Sequence, residues 1–304
     1  MISIIIPTYE REAVLESVIY TYLKQKHVKQ LIILDDASKC KYKSVIDICS
    51  RECKCRNIEF VYYKNAQNKG AAYCRNKGLE LATEEYILWG EDDLYLDDNY
   101  TDILLSKIDK SKAICGTIIY DVDIKKSNDE LQKIIAEQQE KDRPLFDFTL
   151  LEGYYRKKVE HDQEIPFGHA ILLVPKSAYE NVVYYEGYTC NGYREESDAQ
   201  VQMLESGYSI FYTSDTKCFH LKREKTDKGG QHSQNFITYQ YYKIRNNNIF
   251  INRHYPVLEK KFHVRGKFYL KFCFASRVVY ETFLKFACFI VKRILIILRI
   301  RKYQ

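Results

Sequence analysis

Short apolar runs alternate with helix-spaced apolar positions through the first hundred residues. Ile2–Ile6 is a β-branched run stopped by Pro7, and Leu31–Leu34, Ile58–Tyr63 and Tyr86–Trp89 are further short runs of strand length. Between them, Glu12–Leu23 places Val14, Leu15, Val18, Ile19 and Tyr22 at helical spacing. A second helix is predicted through Ile46 and Ile48, and a third over Gly70–Ala82. Strand and helix in strict alternation predict βαβ crossovers, hence an α/β domain with a mostly parallel sheet covered by helices on both faces.

The pattern then weakens. From residue 121 to 165 the chain is polar with mixed charge, which reads as a helix-containing insertion over the open end of the sheet. A strand is predicted over Phe167–Val174 between Pro166 and Pro175, a helix over Glu195–Ser206 and a last strand over Tyr208–Tyr212. The α/β unit is therefore expected to span residues 1–222, in two halves that divide at residue 100. Residues 223–304 form a C-terminal helical region. Within 268–300, Arg277, Glu281, Lys285, Lys292 and Arg299 fall within about 80° of one another on a helix. The rest of the circumference is mainly Phe, Leu, Ile and Val, with Lys271 and Arg293 as charged exceptions. A wide apolar face with a narrow cationic stripe predicts a helix lying in a membrane interface, or packed on the domain or a partner subunit.

Charge sharpens this division. The net charge of +6 is the sum of +11 after residue 259 and −5 before it. An acidic body argues against nucleic acid as a partner. The ten cysteines bring no paired Cys-x-x-Cys knuckles, and the apolar start lacks the layout of a signal peptide, so reduced thiols and a cytoplasmic protein are expected.

In an open α/β sheet, ligands bind beyond the carboxyl ends of the strands. Two of the predicted strands end there in acids, Asp35-Asp36 and Glu91-Asp92-Asp93. No Gly-rich phosphate cradle is present. An acidic site that receives phosphates needs a countercharge, and a divalent metal is the natural one.

Five segments in order, Ile4-Ile5-Ile6-Pro7-Thr8-Tyr9-Glu10, Leu34-Asp35-Asp36-Ala37-Ser38, Asn68-Lys69-Gly70-Ala71-Ala72 running to Arg75-Asn76, Trp89-Gly90-Glu91-Asp92-Asp93, and Asn191–Asp198, together resemble family 2 glycosyltransferases with the GT-A fold. The resemblance covers about the first 220 residues. It implies an inverting, metal-dependent transfer of a sugar from a nucleoside diphosphate sugar. Asp36, or its neighbour Asp35, would accept a hydrogen bond from the base, which favours UDP or dTDP because the imide N–H of uracil or thymine is a donor. Pro7, Thr8, Tyr9 and Glu10 would lie under base and ribose, with Gly70, Arg75, Asn76 and Asp92 completing the nucleotide pocket. Asp93, Glu91 and His220 would hold Mn²⁺ or Mg²⁺. Glu196, with Glu195 as the alternative, would be the base that takes the acceptor's proton. Glu stands at 91 and 196 where the family more often has Asp. Tyr241–Asn248 resembles the family's trailing helix, with Arg245-Asn246 as its recurrent pair, and Gly229-Gly230 suggests a segment that closes over the nucleotide.

The expected setting is cell-surface polysaccharide synthesis at the inner face of the cell membrane, with a glycan or lipid-linked acceptor. Two other classes compete. A catalytically inactive, membrane-associated nucleotide-binding protein would keep the fold without the chemistry. A sugar-nucleotide pyrophosphorylase would carry a Gly-rich, basic phosphate segment where this chain has Pro7-Thr8-Tyr9-Glu10.

Overall fold

The computed structural model describes residues 1–123, 126–222 and 235–301, with side chains in the last helix described as far as residue 287. Strands β1 (Ile2–Thr8), β2 (Val28–Asp35), β3 (Glu59–Lys64) and β4 (Tyr86–Trp89) alternate with helices α1 (Glu12–Leu23), α2 (Lys43–Arg56) and α3 (Ala71–Leu81). These four strands are parallel, in the order β3-β2-β1-β4. β1 and β2 are buried almost throughout, which is why their sequences read as unbroken apolar runs.

Beyond β4 the chain adds β5 (Leu94–Leu96), α4 (Tyr100–Lys107) and β6 (Lys112–Val122). The polar insertion supplies α5 (Asn128–Gln138) and a small hairpin of β7 (Phe146–Asp147) and β8 (Glu152–Gly153). β9 (Gln163–Glu164), β10 (Leu173–Pro175), α6 (Glu195–Glu205) and β11 (Ser209–Leu221) follow. The sheet continues β4-β10-β6-β11-β5, with β9 on β11, so a parallel half joins a mixed half.

Two strand expectations change. Only Leu173–Pro175 of the predicted Phe167–Val174 strand is in the sheet. The Phe167 carbonyl, the Gly168 N–H and His169 are bonded instead to the Tyr155 hydroxyl, the Gln200 side chain and the Gly116 carbonyl. The last strand is much longer than Tyr208–Tyr212, because β6 offers it a parallel edge as far as Val122.

Two helices close the chain, α7 (Phe236–Phe262) and α8 (Lys267–Arg301). α7 is tied to the body by buried polar contacts. Asn246 bonds Asn191, Asn247 accepts from Arg194, and His254 meets the Asp198 carboxylate at 2.7 Å. α8 packs through Leu270, Phe274 and Val278, and Arg277 pairs with Glu281 one turn on. Its opposite side leaves Phe268, Phe272, Val279, Phe283 and Phe286 exposed. The expected cationic stripe therefore begins on the side that faces the body, while Lys292, Arg293, Arg299 and the Gly229-Gly230 segment lie outside the described residues and side chains. Among the described residues no helix is long and apolar enough to cross a membrane.

Candidate active site

A cleft of about 550 Å³ opens at the carboxyl end of the parallel strands. Pro7, Thr8, Tyr9, Asp36, Asn68–Ala72, Asp92 and Glu195 line it, with the Glu186–Gly192 loop opposite. Both acid-ended strands deliver a carboxylate here, at the point between β1 and β4 where the strand order reverses.

The two aspartates after β2 have separate tasks. Asp35 is fully buried, and its carboxylate accepts from the Ser38 N–H and the Tyr62 hydroxyl, with Lys64 at 3.3 Å. Asp36 faces the cleft. Its Oδ1 accepts from Asn65 and the Lys69 N–H, and its Oδ2 from the Gly70 N–H. A carboxylate has about four acceptor positions, so Asp36 Oδ2 keeps one for a donor in the cleft. Gly70 sits at φ +90°, a conformation that favours glycine, and this aims its N–H at Asp36 as α3 begins.

Beside Asp36, Thr8 donates to Asp92 Oδ2 and contacts the Tyr42 hydroxyl. Glu10 turns away from the cleft, its carboxylate accepting from the Lys39 N–H. Arg75 and Asn76, expected on the nucleoside side, are engaged elsewhere. The Arg75 guanidinium donates to Glu195 at 2.7 Å and Glu196 at 2.8 Å, beneath the rings of Trp89 and Tyr184. Asn76 bonds both the N–H and the carbonyl of Tyr184.

At the end of β4, Gly90 permits the turn into Glu91-Asp92-Asp93. A Cβ there would stand 2.8 Å from Ile6 and 2.9 Å from Tyr22, inside van der Waals contact. Antiparallel pairing of β5 with β11 then sets His220 opposite Leu94 and bonds the Leu221 N–H to the Asp93 carbonyl. As a result, ligand atoms of Glu91, Asp93 and His220 lie within 4.8 Å of one another. The His220 Nδ1 lies 2.9 Å from the Leu221 carbonyl, which can only accept. The proton is therefore on Nδ1, and Nε2, 3.7 Å from Asp93 Oδ1, is free to ligate, the usual arrangement of a metal-binding histidine. Two carboxylates and an imidazole are a donor set suited to Mn²⁺.

The acids repel one another. Burial, then Asp93, push Glu91 up to about 7, and burial and Asp93 push Asp92 up to about 6 against the pull of Arg11. His220 is raised, burial being outweighed by the charges of Asp93 and Glu91. Across the cleft, burial pushes Glu195 up to about 7 while Arg75 pulls it down and Glu196 pushes it further up. Glu196 is the more exposed of the two, its side chain 27% accessible against 6% for Glu195.

Sequence reasoning missed Arg11, whose guanidinium contacts both Asp92 and Asp93. It stands between the Ile4–Glu10 segment and α1, and only tertiary structure shows what it faces. Arg194 was missed in the same way: at φ +78° it caps α6 and buries its guanidinium among Phe167, Tyr193, Phe250 and Phe274.

Residues 3–172 match the family described as glycosyl transferase family 2. No curated protein is significantly similar in sequence. Solved structures are similar in fold. Staphylococcus aureus TarS 1-349 in complex with UDP-GlcNAc has a TM-score of 0.56 at 14% identity, over 82% of this chain and 66% of that one. GalNAc-T7 with UDP, GalNAc and Mn²⁺ has a TM-score of 0.59 at 13% identity, over 83% and 47%. S. aureus TarS in its longer form has 0.53 at 13%, over 84% and 43%, so the chain spans less than half of that protein. The sheet order, the cleft at its switch point and the matched segment, which covers more than half of the chain, make this a GT-A fold, and the chain belongs to glycosyl transferase family 2.

Proposed function

We propose that the chain transfers one sugar from a nucleoside diphosphate sugar, UDP or dTDP favoured, to a hydroxyl of a glycan or lipid-linked acceptor, with inversion. Residues 1–222 are the catalytic domain in this reading. The observation that carries it is a cleft lined by Asp36, Asp92 and Glu195, where Asp92 lies in sequence between two members of the O,O,N cluster of Glu91, Asp93 and His220, and Glu195 is held with Glu196 by the Arg75 guanidinium.

Asp36 accepts the N–H of the base with the oxygen position left open, while Pro7, Thr8 and Tyr9 form the floor. Glu91, Asp93 and His220 would hold Mn²⁺ or Mg²⁺, which would supply positive charge to the departing diphosphate. Glu196 takes the acceptor's proton as that oxygen forms its bond to the anomeric carbon. The anomeric C–O bond to the diphosphate breaks on the opposite side. Arg75 fixes both glutamates by donating to each. Glu195, more deeply buried and titrating near neutrality, is the alternative base.

The membrane is the proposed second partner. On α8, Phe268, Phe272, Val279, Phe283 and Phe286 fall within about 60° of one another, opposite the packed Leu270, Phe274 and Val278. Lys271 borders this stripe on one side, and Tyr269 and Tyr280 on the other. An aromatic stripe with cationic and tyrosine borders suits an anionic lipid interface, and it would seat the enzyme beside lipid-linked acceptors of surface polysaccharide synthesis.

The test is release of nucleoside diphosphate from UDP-, dTDP- and GDP-sugars, with Mn²⁺ or EDTA, by wild type and Asp93→Asn. Turnover of a UDP- or dTDP-sugar that needs Mn²⁺ and is lost in the variant supports the reading. No turnover of any donor with mixed glycan and lipid acceptors contradicts it.

A further inference from the structure

Three consecutive carboxylates, Glu91, Asp92 and Asp93, crowd the mouth of β4, and two of them are nearly inaccessible. Arg11 reaches them from the loop before α1. Its NH1 donates to Asp92 Oδ1 at 2.9 Å and to Asp93 Oδ2 at 2.8 Å, with the arginine side chain only 11% exposed. The other oxygen of Asp93, Oδ1, points to His220 at 3.7 Å, on the side where Glu91, Asp93 and His220 converge. The Asp93 carboxylate is thus divided: one oxygen belongs to a fixed guanidinium, the other to the cation site.

A guanidinium cannot lose its charge in a protein. Placed beside a poorly solvated cation site, it has two effects. It compensates the mutual repulsion of Asp92 and Asp93 when no metal is bound, and it repels an incoming divalent ion at a distance where screening is weak. The donor's diphosphate would bring negative charge to the same place and reverse that balance.

We propose that Arg11 is a resident countercation of the acidic triplet, which holds Asp92 and Asp93 in position and makes tight metal binding conditional on the nucleotide. The proposal rests on the metal site of the preceding section. It assigns Arg11 a positioning and gating role rather than a contact with the reacting atoms. Metal and Arg11 are then partly interchangeable as countercharges, whereas a merely structural arginine would stabilise the loop and leave metal affinity alone.

The experiment is a Mn²⁺ titration of the full chain followed by electron paramagnetic resonance of free Mn²⁺, with and without UDP, for wild type, Arg11→Met, Arg11→Gln and Arg11→Lys. Without UDP, Arg11→Met and Arg11→Gln are expected to bind Mn²⁺ about ten-fold or more tightly than wild type, because one nearby positive charge is removed. Arg11→Lys, which keeps the charge, stays near wild type. UDP tightens Mn²⁺ binding strongly in wild type and much less in the neutral variants. Melting temperatures in EDTA fall for the neutral variants and recover with Mn²⁺, which separates lost countercharge from misfolding. Equal or weaker Mn²⁺ binding by the neutral variants would overturn the proposal and leave the metal reading standing. If no form bound Mn²⁺ even with UDP, the metal reading would fall, and the proposal with it.

Discussion

At the scale of single residues, burial of the carboxylates decides how the site responds to pH. Glu91, Asp92 and Glu195 are all raised by burial, so the folded protein holds protons on them that the unfolded chain would have released. The sign follows from linkage: this stability is fully present below the ordinary carboxylate range and is lost as pH rises towards about 7. The metal-free protein is therefore expected to lose melting temperature between about pH 5 and 7 on account of these groups, and Mn²⁺ to flatten that slope by favouring the ionised forms; differential scanning calorimetry over this range with EDTA or Mn²⁺ checks both. Glu196→Gln is expected to lower kcat by about 10²–10⁴-fold with little effect on donor binding, the usual size of a general-base contribution. If Glu195→Gln has that effect instead and Glu196→Gln does not, the base assignment passes to Glu195. Asp35 and Asp36 show how far sequence reaches at this scale. The pair was legible as a strand-end acid motif, but which member faces the cleft depends on Tyr62 and Lys64 from the next strand. Arg75 was legible as a site residue, yet its contacts run to Glu195 and Glu196, 120 and 121 positions away.

At the scale of elements, the parallel half could be read from periodicity because β1, β2 and β4 are buried on both faces and its helices carry apolar positions at helical spacing. β6 was not expected at all, although Ala113–Ile119 is largely apolar. Gly116 and Thr117 interrupt that run for reasons visible only in the sheet, where a Cβ at 116 would stand 2.8 Å from the Thr216 carbonyl. β11 escaped in part because its second half mixes polar and apolar positions and depends on pairing with β6 and β5. Gly90→Ala is a direct probe of element placement. Overpacking against Ile6 and Tyr22 should cost about 1–3 kcal/mol and shift the acidic triplet, so a loss of Mn²⁺-dependent activity larger than the loss of stability is expected. Urea denaturation beside the activity assay checks this. α6 is held from behind by Asp198, whose carboxylate receives Tyr188, Gln202, Arg253 and His254 and is held down at about 2, burial being outweighed by these partners. Asp198→Ala should destabilise the protein by about 3 kcal/mol, because it strands a buried histidine and an arginine. A change below about 1 kcal/mol would show that α6 does not rely on this hub.

At the scale of the whole molecule, the C-terminal helices are joined to the α/β body beside the site. α7 is fixed to α6 through Asn246, Asn247 and His254, and α8 lies over Arg194, the residue that starts the helix bearing both glutamates. The stripe that would meet lipid and the residues that would meet acceptor are therefore mechanically connected. Vesicles containing anionic lipid should sediment with the wild type, and Phe272→Ser with Phe283→Ser should weaken that by ten-fold or more while leaving donor turnover in solution intact. Equal sedimentation of the variant would contradict the membrane role of α8. The measurement that tests the central claim most directly is calorimetric binding of UDP to wild type, Asp36→Asn, Asp93→Asn and Glu196→Gln, with Mn²⁺ or EDTA. The account predicts Mn²⁺-dependent binding that is lost in Asp93→Asn, weakened in Asp36→Asn and unchanged in Glu196→Gln. UDP binding that is indifferent to EDTA and to Asp93→Asn would contradict it.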